Sequence, residues 1–181
     1  MSREVRVLVA AIAGVILLFF GLGSALADRW QVVTAQTMPA PPERVLPLVR
    51  DFQAWRDWSA LSMTERADTK VSIEGEPGTV GHSLVWRSGR EEAALRLTRV
   101  DTSGIEWEFL SKLAGEDLRV RGKGSLRVVG EGQGSRVTWT DESEVDGLLG
   151  RWFAWFGAQQ DSQRRFQDAS LSGLRSKLEG R

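Results

Sequence analysis

The hydrophobic pattern of this chain changes period along its length, and its last regular segment is also its longest. From Asp146 to Gly180 no proline interrupts the sequence, and apolar residues recur at helical spacing. On a helical wheel, one face collects an aromatic cluster and several leucines: Leu149, Trp152, Phe153, Phe156, Leu171, Leu174 and Leu178. The pattern predicts a single helix of roughly 45 Å whose apolar face must be covered.

The middle of the chain alternates apolar and polar residues, which is typical of strands with one buried face. A short extended run from Trp30 to Met38 comes first. Two short helical segments follow, Glu43 to Arg50 and Phe52 to Leu61. From Lys70 onward the alternation continues through about six strands separated by glycine-containing turns.

Consecutive strands of this kind predict an antiparallel meander, which curls and can wrap an amphipathic helix. The predicted fold class is therefore α+β. A curved antiparallel sheet of about seven strands grips the long C-terminal helix, with two short helices after the first strand and a cavity between sheet and helix. Trp139 belongs to the core in this arrangement, on the face of the last strand that meets the helix. His82 is expected to share the apolar face of an earlier strand with Val80, Leu84 and Trp86.

The N-terminal segment from Val7 to Ala27 carries no charge and is preceded by Arg3 and Arg6. Its length suits a bilayer, which needs about 20 apolar residues. The same segment also fits a secretory signal, because Ala25-Leu26-Ala27 resembles an A-x-A cleavage site. We expect residues 1–28 to be a transmembrane anchor or signal peptide and residues 29–181 to be the globular domain.

The basic residues before the apolar segment predict that its N-terminus stays in the cytoplasm, so both alternatives export the domain. The anchor alternative gives a single-pass protein of the inner (cytoplasmic) membrane, attached through residues 7–27, with its domain on the extracytoplasmic side. The cleaved alternative gives a soluble periplasmic or secreted protein that begins after Ala27.

Composition excludes several functions. Lys plus Arg and Asp plus Glu both number 24, so the chain lacks the positive charge expected of a nucleic-acid-binding protein. The absence of cysteine excludes thiolate metal sites, and the single histidine, His82, makes a histidine-rich metal site hard to build. No motif indicates a metal or a cofactor, and we expect neither. The basic row of Arg119, Arg121 and Lys123 is expected to face solvent opposite Glu106 and Glu108.

Four segments of the chain resemble the SRPBCC (START-like, helix-grip) superfamily, in its polyketide cyclase/dehydrase branch. They are 45–59, 77–81 with Trp86, 134–139 and 171–178, and the resemblance extends from Trp30 to Leu178. It implies an antiparallel sheet that grips the C-terminal helix around an apolar cavity. The superfamily includes cyclases, lipid-transfer domains and hormone receptors, so the resemblance implies a fold more firmly than an activity. Many members of the branch also begin with one apolar segment.

The candidates for chemistry are few. His82 and Asp141 would form an acid–base pair if both pointed into the cavity, although a lone histidine is more often a hydrogen-bonded structural residue. We expect His82 to be dispensable for any activity. Tryptophans are core residues first and ligand contacts second. The residues predicted to contact a ligand are Trp86, Trp107, Trp139, Trp152, Phe156, Gln160 and Gln163.

Three glutamines interrupt the apolar face in the middle of the helix: Gln160, Gln163 and Gln167. Their position leads to a specific hypothesis. Unpaired buried amides are costly, at roughly 1 to 3 kcal/mol each, so tight packing would not tolerate them. One alternative has Gln160 and Gln163 bordering the cavity, where they bind the polar end of a ligand. In the other, a bend at Gly157 rotates the helix and turns the glutamines toward water.

Two functions from different classes follow. The first is an extracytoplasmic module that binds a lipid-like or other apolar small molecule without chemistry. The second is an enzyme of the cyclase or dehydratase type that acts on an apolar, polyketide-like substrate. A cavity wall where several buried polar groups converge would favour the enzyme, whereas a dry cavity ringed by Trp, Leu and Val would favour the binding module.

Overall fold

The computed structural model describes residues 2–61, 68–113, 118–156 and 158–180 of the chain. The first part of the described chain contains α1 (Arg3–Ala25), β1 (Arg29–Met38), α2 (Pro42–Arg50), α3 (Phe52–Trp58), β2 (Lys70–Glu74), β3 (Ser83–Ser88) and β4 (Glu91–Asp101). The second part contains β5 (Gly104–Leu113), β6 (Leu118–Glu131), β7 (Gly134–Val145), α4 (Gly147–Trp155) and α5 (Ala158–Leu178).

All seven strands form one antiparallel sheet with the order β1-β7-β6-β5-β4-β3-β2. The first strand thus pairs with the last, and the strands between them follow one another as hairpins. Helix α5 lies on the concave face of this sheet, and two short helices follow β1. The predicted α+β helix-grip fold is confirmed.

The two short helices begin where the sequence supplies start signals. Pro42 occupies the first position of α2, where its missing N–H costs nothing. Asp51 caps α3, because its carboxylate accepts a hydrogen bond from the backbone N–H of Gln53 at 2.8 Å. These caps direct Phe52, Trp55 and Trp58 inward. The α2–α3 pair therefore closes one end of the curved sheet.

The main core lies under α2 and α3, where tryptophan rings from several elements meet. The ring of Trp55 lies 5.6 Å from that of Trp107 and 5.4 Å from that of Trp139. Trp139 is 2% exposed and Leu174 of α5 is completely buried. The predicted core position of Trp139 is confirmed. A smaller cluster, Trp30, Val32, Val120 and Val145, lies at the other end of the sheet.

The C-terminal segment differs from the single helix predicted. It forms two helices, and the break falls at Phe156, whose N–H still bonds the carbonyl of Trp152. Gly157, at which we expected a bend, lies outside the described residues. The prediction that Leu149 and Phe156 face the sheet is wrong, because their side chains are 71% and 74% exposed. Helix α4 packs beside α1 and contacts β6 and β7, where Ala154 lies against the smaller core cluster.

Two smaller expectations also need correction. Val80 is 66% exposed rather than inward, because β3 begins only at Ser83 and the chain turns through Gly81 at a φ of +94°. Arg121 does lie on the solvent face, but its partners are Glu144, at 3.2 Å, and Asp146, at 3.1 Å. These acidic partners come from β7 and the residue that follows it, and not from β5.

The N-terminal helix α1 stands outside the domain, with nearly all of its side chains exposed. It is 23 residues long and apolar enough to cross a membrane, a property that a signal sequence shares. Its contacts with the domain are made by α4. Arg151 donates to the carbonyl of Ser24 at 2.8 Å and to the carboxylate of Asp28 at 2.9 Å.

Candidate ligand-binding site

A cleft of about 150 Å³ lies between the concave face of the sheet and α5. Its walls are mostly aromatic and aliphatic side chains: Trp55, Leu95, Trp107, Phe109, Trp139 and Phe166. The only hydrophilic side chains that line it among the described residues are Asp141 and Gln163. The cleft is therefore apolar except at one corner, where the last strand faces the helix.

A glycine of β6 makes room for that corner. Gly124 lies opposite Asp141 in the register of β6 and β7 and opposite Trp107 in the register of β5 and β6. A Cβ at this position would lie 2.1 Å from the ring of Trp107 and 2.4 Å from a carboxylate oxygen of Asp141. Any larger residue would therefore displace both groups from the cleft wall.

Asp141 is the one ionisable group at the cleft wall among the described residues, and it is 6% exposed. Its Oδ2 accepts hydrogen bonds from Trp139 Nε1 at 2.9 Å and from Gln167 Nε2 at 2.8 Å. Burial raises the pKa of Asp141 to about 6, although hydrogen bonds from Gln167, Gln163 and Trp139 oppose the rise. The carboxyl group thus titrates near neutral pH inside an apolar cleft.

Gln163 connects this carboxylate to the rest of the site. Its Oε1 accepts from Trp30 Nε1 at 2.8 Å and from Ser143 Oγ at 3.3 Å, and the side chain lies near enough to Asp141 to lower the pKa of that carboxyl group. The two bonds to Oε1 hold the side chain against β1 and β7. Gln163 also lines a second recess, of about 330 Å³, beside Trp30.

The cleft and this recess share Phe109, Gln163 and Phe166, so they adjoin each other along α5, and we call the two together the groove. The cleft alone is smaller than most ligand pockets, which occupy about 300 to 1,000 Å³. The groove as a whole falls within that range. A ligand bound along it would have apolar contacts in the cleft and polar contacts in the recess, where Ser111, Gln159 and Ser162 also line the wall.

Gln167 is a member of the site that sequence reasoning did not select. It is completely buried, and its Oε1 has no hydrogen-bond partner among the described residues. The signal was present in the sequence, since Gln167 lies one helical turn after Gln163 and one before Leu171. Ser143 was also missed, although it lies two residues after Asp141 and hence on the same face of β7.

His82 and Asp141 do not form the acid–base pair considered from sequence. His82 is 1% exposed and stacks on Phe52 with ring centroids 4.9 Å apart. Its Nε2 accepts from the backbone N–H of Phe52 at 3.1 Å, while Nδ1 lies 3.0 Å from the carbonyl of Glu74. This pattern suits a neutral ring with its proton on Nδ1 and a structural role between α3 and β2.

Of the other residues predicted to contact a ligand, some line the cleft and some lie elsewhere. Trp107, Trp139 and Gln163 line the cleft. Trp86 is half-buried on β3 and lies outside the cleft lining. Gln160 is exposed and borders a surface recess next to Trp155. The expectation that the Gln160 side chain faces the sheet is therefore wrong, whereas Gln163 does face it.

Trp152 and Phe156 were expected to close one end of the cavity, but they lie elsewhere. The ring of Trp152 stacks on Phe19 of α1 at 5.3 Å, and Phe156 stacks on Trp152 at 5.5 Å. Trp152 belongs to α4 and Phe156 is the residue that follows it, and neither side chain lines the cleft. The contact between α1 and α4 therefore replaces the predicted contact with a ligand.

Two recesses on the convex face of the sheet are larger, at about 520 and 590 Å³. They are bordered by charged side chains, among them Arg29, Lys123, Glu142 and Glu144. Arg121 and Glu144 pair with each other at this surface at 3.2 Å. Such a surface suits solvent better than an apolar ligand.

The fold and the groove define a class: a curved antiparallel sheet that grips a C-terminal helix around an apolar cleft is the helix-grip arrangement of SRPBCC proteins. Residues 29–179 match the family described as polyketide cyclase/dehydrase and lipid transport. The chain belongs to this family. A comparison with curated proteins found no match.

Solved structures agree with this assignment of the fold. The chain is similar to an uncharacterized protein from Rhizobium leguminosarum, with 17% identity, a TM-score of 0.63, and coverage of 85% of this chain and 97% of that one. It is also similar to major latex-like protein 151 from Panax ginseng, with 12% identity, a TM-score of 0.59, and coverage of 84% and 99%. A protein from Thermobifida fusca gives 20% identity, a TM-score of 0.56, and coverage of 82% and 92%.

Proposed function

We propose that this chain is an extracytoplasmic, membrane-tethered module that binds a lipid-like or other apolar small molecule in the groove between the sheet and α5. The observation that carries the proposal is the lining of the cleft, where aromatic and aliphatic walls surround a single polar corner. Pockets for apolar ligands have this composition, because a few fixed polar groups orient a ligand that burial holds in place. The family description, which includes lipid transport, supports the same class of ligand.

The polar corner favours one kind of ligand group. Gln163 is already held by Trp30 and Ser143, and one oxygen of Asp141 is held by Trp139 and Gln167. A ligand hydroxyl or amide would therefore donate to the carboxylate of Asp141. A ligand carboxylate would meet like charge once the pH rises above the pKa of Asp141, about 6. We expect a neutral polar end rather than an acidic one.

The membrane tether is proposed from the N-terminal sequence and from α1. Residues 1–28 attach the chain, residues 29–181 form the binding domain, and Arg3 and Arg6 keep the N-terminus in the cytoplasm. The 23-residue length of α1 and its exposed apolar side chains support an anchor. The alternative is a soluble domain released after Ala27.

The enzyme alternative is favoured by one observation, the raised pKa of Asp141 at the wall of the groove. A carboxyl group that titrates near pH 6 suits general acid–base chemistry. A cyclase or dehydratase also needs a second group to take or give the other proton. His82 does not supply it, because both of its ring nitrogens are engaged near α3 and β2. We therefore place the binding module first.

Mass spectrometry of the full chain tests the proposal. The protein is purified in mild detergent and sprayed under native conditions, and we expect an added mass from a retained apolar molecule that is lost on denaturation. Two variants introduce the same ring at neighbouring positions. Ala93→Phe narrows the cleft, whereas the control Ala94→Phe places the ring on the convex face. An unmodified mass for all three proteins would contradict the binding function. The intact mass also tests the tether, because a mature chain that begins at Asp28 would exclude an anchor.

A further inference from the structure

Helix α4 presents an apolar surface that nothing in the described structure covers. Leu149, Trp155 and Phe156 are 71%, 59% and 74% exposed. The one charged residue in the sequence of α4, Arg151, is turned toward the end of α1, where it binds the carbonyl of Ser24 and the carboxylate of Asp28. The exposed face of α4 thus carries large apolar side chains, two of them aromatic, and no charge. Burying it would remove apolar area from water and stabilise the covered state.

The position of α4 along α1 indicates what covers this face. Trp152 stacks on Phe19 and its Nε1 lies 3.3 Å from the carbonyl of Phe19. The two helices approach closely, since a Cβ at Gly23 would lie 2.5 Å from the same nitrogen. Phe19 precedes the end of α1 at Ala25 by six residues, or about 9 Å of helix. An anchor that ends at the membrane surface would hold α4 at that depth.

That depth matches an interfacial helix, whose apolar face is buried roughly 5 to 10 Å into the boundary of headgroups and acyl chains. Tryptophan is also enriched at this boundary, because its ring is amphipathic. We infer that the exposed apolar side chains of Leu149, Trp155 and Phe156, in α4 and at its C-terminal end, dock into the extracytoplasmic surface of the lipid bilayer, as a second membrane contact beside α1. The inference rests on the proposed membrane tether and adds a fixed orientation of the domain to it.

The orientation has a consequence for the groove. A recess bordered by Ala27, Trp30, Trp155 and Gln160 lies between α4 and the start of α5. Trp30 also lines the recess that continues into the ligand cleft. Docking of α4 therefore turns this end of the groove toward the bilayer. The opposite end, under α2 and α3, is filled by the tryptophan core and faces away from the bilayer.

The test uses the full chain in vesicles made of equal parts phosphatidylethanolamine and phosphatidylglycerol. The chain has no cysteine, so single-cysteine variants can each carry one spin label. Leu149→Cys and Phe156→Cys probe α4, and Leu17→Cys probes α1. Val129→Cys is the matched control, because Val129 is an apolar residue with 61% exposure at the other end of the sheet. For each label, collision rates with oxygen and with a water-soluble nickel chelate are measured.

We expect oxygen collisions to dominate at positions 17, 149 and 156, and nickel collisions to dominate at position 129. If the labels at 149 and 156 behave like the label at 129 while the label at 17 is in lipid, docking is refuted and the tether stands. If the label at 17 also meets water, the tether fails together with the docking. If the spectrum of either the 149 or the 156 variant is broadened until that variant is diluted with unlabelled protein, a second copy covers the face and the inference is again refuted.

Discussion

Helices α4 and α5 come from one continuous helical pattern, but they have different surroundings. Helix α5 packs on the concave face of the sheet, where Leu171 and Leu174 are completely buried. Helix α4 has a higher density of apolar residues, yet Leu149, Trp155 and Phe156 are exposed. It packs beside α1, where Trp152 stacks on Phe19, and it also contacts β6 and β7. The large apolar side chains of the more apolar helix are thus the less buried ones.

The difference shows that an apolar face on a helix needs a partner to cover it, but that the face does not identify the partner. Helix α5 satisfies that need within the domain, where Gln167 donates to Asp141 and Gln163 accepts from Trp30 and Ser143. Helix α4 satisfies it only in part within the described structure. Substitutions in α5 should therefore act on the stability of the domain, while substitutions in α4 should act on its attachment.

The largest expected effect is that of Trp139→Ala, which removes a ring packed against α3, β5 and α5. Trp139 contacts Trp55, Trp107 and Phe166, with ring centroids 5.4 to 5.9 Å apart. We expect a loss of about 3 to 5 kcal/mol in the free energy of unfolding. Urea denaturation of the full chain in detergent, followed by circular dichroism, measures it. A loss below about 1 kcal/mol would mean that the packing around the ring is absent.

The next comparison applies the same substitution to both helices. Leu174→Ala in α5 should cost about 2 to 5 kcal/mol, because Leu174 is completely buried in the main core. Leu149→Ala in α4 is the matched control and should change the free energy of unfolding in detergent by less than about 0.5 kcal/mol. Equal losses at the two positions would contradict the separate surroundings of α4 and α5.

Asp141→Asn should change how stability depends on pH. The pKa of Asp141 is raised from 3.8 to about 6 in the folded chain, so between these values the folded state holds a proton that the unfolded state has lost. Raising the pH through this window therefore destabilises the wild type, by on the order of 3 kcal/mol at about 1.4 kcal/mol per pKa unit. The asparagine variant lacks this contribution. We expect the stability of wild type relative to variant to fall between about pH 4 and pH 7, and a constant difference would refute the burial of the carboxyl group.

The smallest expected effect on stability is that of Arg151→Gln at the junction of α1 and α4. The side chain is partly exposed, so its ion pair with Asp28 should contribute no more than about 1 kcal/mol. Its bonds to Ser24 and Asp28 nevertheless hold the junction, and we expect faster cleavage before Asp28 by a protease that cuts at aspartate. Arg164→Gln, at an exposed position of α5, is the control. Equal cleavage rates for both variants would show that Arg151 does not hold the junction.

The fold was predictable because the alternation of apolar and polar residues sets which face of each strand is buried. Trp107 and Trp139 follow this rule, and both reach the core. The break after α4 was not predictable from periodicity, because the apolar pattern continues across it, and only Gly157, a poor helix former, indicated a bend there. The packing of α4 beside α1 is a tertiary contact that no local pattern encodes.

The candidate site was predictable only in part. Gln163 and Asp141 each stood out as polar residues on apolar faces, but their approach to each other joins positions on different elements. His82 stood out for the same reason and has a structural role instead, since its partners are backbone groups of Phe52 and Glu74. A polar residue on an apolar face indicates a buried partner, and the fold decides whether that partner is a neighbouring backbone group or a ligand.

The central claim is that the groove between the sheet and α5 binds an apolar molecule with a neutral polar end. Titration of the full chain in amphipol with dodecanol, followed by tryptophan fluorescence, tests it most directly because Trp107 and Trp139 line the cleft. The account predicts saturable binding that Ala93→Phe weakens at least about tenfold, a difference of about 1.4 kcal/mol, and that Ala94→Phe leaves unchanged. No saturable signal from the wild type, or equal binding by both variants, would contradict it.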